Sequence, residues 1–127
     1  MKRILALLLC VGVLWVAIGT PLAEARWTHL RSISLNLSRS NNTVTSTVSV
    51  MGHAGTTRIL ASFVLERLVD GQYRLVTAWT DSTNSSALIN TRQTSNCPAG
   101  TYRLRVTVTV TRDGSSETVS DSIVRNL

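Results

Sequence analysis

Two histidines, a cysteine outside the N-terminal apolar run, seven acidic residues and many serines and threonines are the side chains from which this 127-residue chain could build chemistry. His29 and His53 are the groups able to act as bases near neutral pH. A hydrolytic site needs such a base beside a nucleophile that it can deprotonate. His29 stands close to the start of the domain and His53 in the glycine-flanked loop Gly52-His53-Ala54-Gly55, while no G-x-S-x-G elbow presents a serine on a strained turn. A small hydrolase or hydrolase inhibitor with a loop site near His53 is therefore the enzymatic alternative, and a plain loop histidine is the simpler reading. Glycoside cleavage would need two carboxylates facing each other across a cleft. Asp70 and Asp113 read instead as turn formers, and Glu66, Glu117 and Asp121 as solvated positions on strands or their ends.

The two histidines and Cys97 are far apart and form no close-spaced ligand pair, so no metal and no cofactor are expected. Lys2 is the only lysine, which removes Schiff-base chemistry, the usual phosphate-binding loop and lysine cross-links from the domain. Cys10 lies inside the apolar run, leaving Cys97 without an internal disulfide partner, a free thiol in the loop before a strand. The reading is non-enzymatic.

The N-terminus carries an address. Lys2 and Arg3 precede an apolar run from Ile4 to Ile18, Pro21 interrupts it, and Ala23-Glu24-Ala25 offers an A-x-A cleavage site. The run falls short of the roughly 20 residues a spanning helix needs, so the expectation is a helical signal peptide, residues 1–25, cleaved after Ala25, and a secreted domain, residues 26–127. Contact with the membrane is expected only through the signal before cleavage. The remaining length supports one domain with one core.

Period-two alternation runs through that domain, and serine plus threonine make up roughly a third of it, a composition of strands and turns. Ile33, Leu35 and Leu37 alternate with Ser32, Ser34 and Asn36, and a turn from Ser38 to Asn42 leads into Thr43 to Met51 with Val44, Val48 and Val50 on one face. Thr57 to Leu68 has apolar residues on both faces, as a central strand does. Asp70-Gly71 then predicts a hairpin returning through Tyr73, Leu75, Thr77 and Trp79. A polar loop, Asp81 to Ser86, precedes a weak strand at Ala87 to Thr91 that suits an edge. Tyr102, Leu104, Val106, Val108 and Val110 alternate without a break against Arg103, Arg105, Thr107, Thr109 and Thr111, and Asp113-Gly114 turns the chain into a last strand, Glu117 to Val124.

About seven short strands in some hundred residues predict an all-β, immunoglobulin-like two-sheet antiparallel sandwich, with a small barrel as the competing architecture. Gly100-Thr101-Tyr102-Arg103-Leu104 resembles the start of the sixth strand of such sandwiches, where a tyrosine hydroxyl ties back to the preceding corner, and Tyr102 is the candidate. Leu104 stands where antibody domains place a cysteine, and the third strand has no tryptophan, so antibody-type ancestry is not indicated. The export signal, Leu65-Glu66-Arg67 before Asp70-Gly71, Trp79 ahead of a polar loop, Gly100 to Leu104, and Gly114 before Glu117-Thr118 together resemble small secreted immunoglobulin-like proteins of Gram-positive bacteria. That resemblance implies a fold and an extracellular address and transfers no active site.

Binding candidates remain. Apart from Lys2, every cationic side chain that is always charged is an arginine, a residue suited to bidentate contacts with carboxylate or phosphate. The arginines are scattered along the chain, which reads as solubilising charge, and Arg103 with Arg105 on the wet face of one strand is their nearest approach to a site. That face otherwise carries threonine, and no nucleic-acid partner is expected. Leu60, Val64 and Leu68 make the other face of the third strand unusually apolar, either under a loop or at an interface. The sequence thus reads as a secreted binding or surface-interaction module whose partner is a cell-surface polymer, a glycan or a secreted protein, with a structural subunit of a surface assembly as a further alternative.

Overall fold

The computed structural model describes residues 27–127; the expected signal segment, residues 1–25, lies outside them. Seven strands follow in order: β1 (Leu30–Ser40), β2 (Thr43–Gly52), β3 (Thr56–Val69), β4 (Gln72–Thr83), β5 (Ala87–Thr94), β6 (Thr101–Arg112) and β7 (Ser115–Asn126). They form two antiparallel sheets, β1-β2-β5 and β4-β3-β6-β7. The domain is an all-β sandwich, and no helix among the described residues is long and apolar enough to cross a membrane.

All three within-sheet hairpin connections close in two residues, both with positive φ: Asn41-Asn42 at 52° and 61°, Asp70-Gly71 at 51° and 80°, and Asp113-Gly114 at 51° and 77°. This is the type I′ geometry whose twist matches that of the flanking strands. The first of these turns is tighter than the five-residue turn expected from the sequence, because asparagine tolerates the left-handed region well enough for β1 to continue to Ser40. β4 likewise extends to Thr83 and β5 to Thr94, leaving a loop of only Asn84 to Ser86 between them.

Inward alternation supplies the core. Val44, Val48 and Val50 from β2, Ile59, Ala61, Phe63 and Leu65 from β3, and Leu104, Val106, Val108 and Val110 from β6 are all buried. Each large aliphatic side chain sealed in this way contributes about 1.5–3 kcal/mol relative to exposure. The open side between β4 and β5 is closed by Trp79, which stacks on Phe63 with centroids 5.1 Å apart and lies under the Arg92 guanidinium. Its indole N–H donates to Asn90 Oδ1 at 3.0 Å, and Asn90 Nδ2 donates to Asp81 Oδ2 at 2.9 Å.

One strand departs from simple alternation. Leu65 pairs with Thr77, but Glu66 pairs with Leu75, so Val76 is an extra residue and the phase of β4 changes there. Val76 and Trp79 therefore pack on the core, while Leu75, expected on the same face as Trp79, points to solvent at 67 % exposure.

At the opposite end of the molecule from the Asp113-Gly114 turn, the loop Ser95 to Gly100 is fastened at several points. The Tyr102 hydroxyl donates to Pro98 O at 2.6 Å, Arg39 Nε donates to Cys97 O at 2.9 Å, and Cys97 N donates to Asn42 O at 2.8 Å. Gly100 exchanges backbone hydrogen bonds with Leu127. Tyr102 is fully buried, a burial that raises its phenol above the ordinary range.

Candidate functional site

Because β3 and β6 lie side by side, the register decides which side chains meet on the outer face of the four-stranded sheet. Glu66 on β3 is opposite Arg103 on β6, and Val64 is opposite Arg105. The Glu66 carboxylate thus sits between both arginines. Oε1 accepts from Arg103 Nε at 2.8 Å and from Arg105 Nε at 2.9 Å, and Oε2 accepts from Arg105 Nη2 at 3.1 Å. The Arg103 guanidinium crosses β3 and rests 4.0 Å from the centroid of the Tyr73 ring on β4, a cation–π contact.

Glu66 is 8 % exposed, which corrects its reading as a solvated strand position. Burial alone would raise its carboxyl, but the hydrogen bonds and charges of Arg103 and Arg105 outweigh that and hold it below the ordinary carboxylate range. One carboxylate offsets one of two guanidinium charges, so the cluster keeps a single net positive charge and a fixed geometry. Around it lie exposed apolar side chains: Leu68 paired with Tyr73, Leu75 paired with Glu66, and Val124 paired with Arg103. No loop covers Leu60 or Leu68, which remain exposed at 39 % and 37 %.

The upper part of the same face is different. Thr107, Thr109 and Thr111 on β6 are opposite Ser120, Thr118 and Ser116 on β7, and each pair is linked hydroxyl to hydroxyl at 3.3, 3.0 and 2.9 Å. These hydroxyls satisfy one another across the strands. The sheet face thus divides into a hydroxyl half and an amphipathic half centred on Glu66. No family model and no curated protein matches this chain.

The histidines are placed at the end of the sandwich near Asp113-Gly114. His53 engages through its backbone, its N–H donating to His29 O and its carbonyl accepting from Thr56 N and Oγ1. The imidazole that meets a hydroxyl is His29, whose Nε2 lies 2.8 Å from Ser115 Oγ. Its Nδ1 is buried with no partner, so no carboxylate orients the ring as a hydrolase base requires.

The nearby Glu117 carboxylate is engaged elsewhere, accepting the backbone N–H groups of Thr28 at 2.8 Å, His29 at 2.7 Å and Leu30 at 2.9 Å. It fastens the start of β1 to β7. Burial would raise this carboxyl as well, and the three N–H donors hold it below the ordinary range. With folded values depressed, Glu66 and Glu117 contribute stability that is present above the unfolded carboxylate range and is lost as pH falls below about 4. In Glu117→Gln that acid sensitivity should shrink, and the urea midpoint at pH 7 should fall by an equivalent of about 1–2 kcal/mol. Denaturation curves between pH 2.5 and 7 check both effects.

Cys97 is buried at 2 % exposure within the core cluster, with its thiol 3.6 Å from Ser95 O. Asp70 and Gly71 form their hairpin turn and Gly100 lies beside Arg67, so these residues shape the scaffold. Among the described residues no group of three His, Cys, Asp or Glu side chains converges as metal ligands would.

Proposed function

We propose that this chain is a secreted, non-enzymatic, immunoglobulin-like binding module whose partner is a protein docking on the lower outer face of the four-stranded sheet. The observation that carries this reading is the Glu66–Arg103–Arg105 cluster, held on Tyr73 and bordered by exposed Leu68, Leu75 and Val124. Arginine and tyrosine fixed in one geometry beside apolar surface are the composition of an interface centre. Pre-organisation by Glu66 reduces the side-chain entropy lost on docking. The neutralised half of the arginine charge argues for a protein surface with a few acceptors over a densely charged polymer on this face.

The strand order supports the immunoglobulin-like reading: the fourth strand pairs with the third, the fifth sits on the sheet of the first two, and the tyrosine at the start of β6 closes its corner on Pro98.

The test is capture of secreted and surface proteins of the host by the immobilised protein and three variants. Capture should be lost in Arg103→Ala plus Arg105→Ala and in Leu75→Asp. It should persist in Ile89→Asp, which alters an exposed apolar residue on the other sheet. Loss in Ile89→Asp with retention in Leu75→Asp would overturn the assignment of the face.

A further inference from the structure

The arginines that look scattered along the chain are brought into a row by the register. Arg74 on β4 is opposite Arg67 on β3, Arg67 is opposite Tyr102 on β6, and Tyr102 is opposite Arg125 on β7. Directly opposed residues of an antiparallel pair share one face, with Cβ atoms about 4.5–5.5 Å apart, and like charges so placed repel. Arg67 and Arg74 are such a pair.

Neither has an acid to offset it. Among the described residues the carboxylates within 4.0 Å of an arginine are Glu66, with Arg103 and Arg105, and Asp113, with Arg112. Asp70, on the adjoining turn, and the Leu127 terminus are not within that distance of any arginine. Arg39, at the same end, donates to Cys97 O and Asn42 Oδ1, whereas the Arg67 guanidinium makes no hydrogen bond to the described residues. Its Nε is one of four buried side-chain polar atoms there without a partner. A buried N–H of that kind costs free energy until an acceptor reaches it. Gly100 packs directly against it, since a methyl group there would come within 3.2 Å of Arg67 Nε.

We propose that Arg67 and Arg74 form an oxyanion site at the end of the sandwich beneath the Ser95 to Gly100 loop. The ligand is a phosphate, sulfate or carboxylate group, which would satisfy the Arg67 N–H donors and cancel the cross-strand repulsion together. Arg125, on the far side of Tyr102, extends the positive row for a ligand carrying more than one such group. The site is separate from the Glu66 cluster: Glu66 and Arg67 are neighbours in sequence and project from opposite faces of β3.

The test follows the arginine Nε–Hε resonances of the purified protein during titration with inorganic phosphate, against sodium chloride at matched ionic strength. The Arg67 and Arg74 signals should move and saturate in phosphate, while those of Arg103 and Arg105, already bonded to Glu66, stay in place. Arg74→Ala, at an exposed position, should weaken phosphate binding by about tenfold. In chloride alone it should leave the thermal midpoint unchanged or higher, because a repulsive neighbour has been removed. Arg67→Lys, which keeps the charge and loses the fork, should weaken binding as well. Tighter binding of polyphosphate than of monophosphate would assign the site to a polymer-borne group, and equal binding would assign it to a free ion. Movements in phosphate no larger than in chloride, or an affinity unchanged in Arg74→Ala, would overturn the proposal.

Discussion

Replacing Glu66 by alanine should lower the stability of the domain by about 2–3 kcal/mol, although the residue lies on the outside of a sheet. Its removal leaves Arg103 and Arg105 facing each other with no acceptor for three N–H donors. The loss stays at the lower end of the range for buried pairs because the two guanidinium side chains are 30 % and 51 % exposed, and water screens part of their repulsion. Glu66→Gln, which keeps the shape and one acceptor, should lose about half as much. Urea denaturation at pH 7 checks both. At pH 3 the difference between wild type and Glu66→Gln should narrow, since protonation removes the charge that glutamine lacks. A wild-type and alanine variant with the same midpoint at pH 7 would show that the cluster contributes nothing to the fold.

Tyr102→Ala should be the most damaging single change among the loop-fastening residues, at about 3–5 kcal/mol, because a fully buried aromatic side chain leaves a cavity. Tyr102→Phe separates packing from hydrogen bonding: it strands Pro98 O, which now accepts at 2.6 Å, and should cost about 1–2 kcal/mol. A second readout reports on the loop itself. Cys97 packs in the same cluster as Tyr102. Its reaction with a thiol reagent should be slow in the native protein and markedly faster in Tyr102→Ala. Equal reactivity in the two proteins would mean that Tyr102 does not hold the loop.

Much of the scaffold was legible in the sequence for local reasons. β6 alternates five inward apolar residues with arginine and threonine, and Asp70-Gly71 and Asp113-Gly114 are turns whose residues accept positive φ. Those signals lie within a few residues of one another. The bulge at Val76 was not legible, because nothing in Tyr73 to Trp79 marks the extra residue; the packing of Val76 and Trp79 on the core, with Trp79 stacked on Phe63, goes with the change of phase. Leu75 consequently lies on the face opposite to the one that simple alternation predicts.

The candidate site was legible in half. Arg103 and Arg105 stand out as two cations on one face, but Glu66 reaches them from 37 and 39 residues away, and its burial depends on that pairing. Glu117 is a similar case, meeting the backbone of residues 28–30 across the whole domain. The arginine row is invisible along the chain because its members are separated by turns and come together only through the register of four strands. A carboxylate on a strand cannot be read as solvated until the strands beside it are known.

The measurement that bears most directly on the central claim is a hydroxyl-radical footprint of the protein alone and bound to the partner it captures. Docking on the four-stranded sheet predicts protection of Leu68, Tyr73, Leu75 and Val124, with Ile89 on the opposite sheet labelled equally in both states. Protection of Ile89 with Tyr73 and Leu75 still fully labelled would contradict the account and move the binding surface to the β1-β2-β5 sheet.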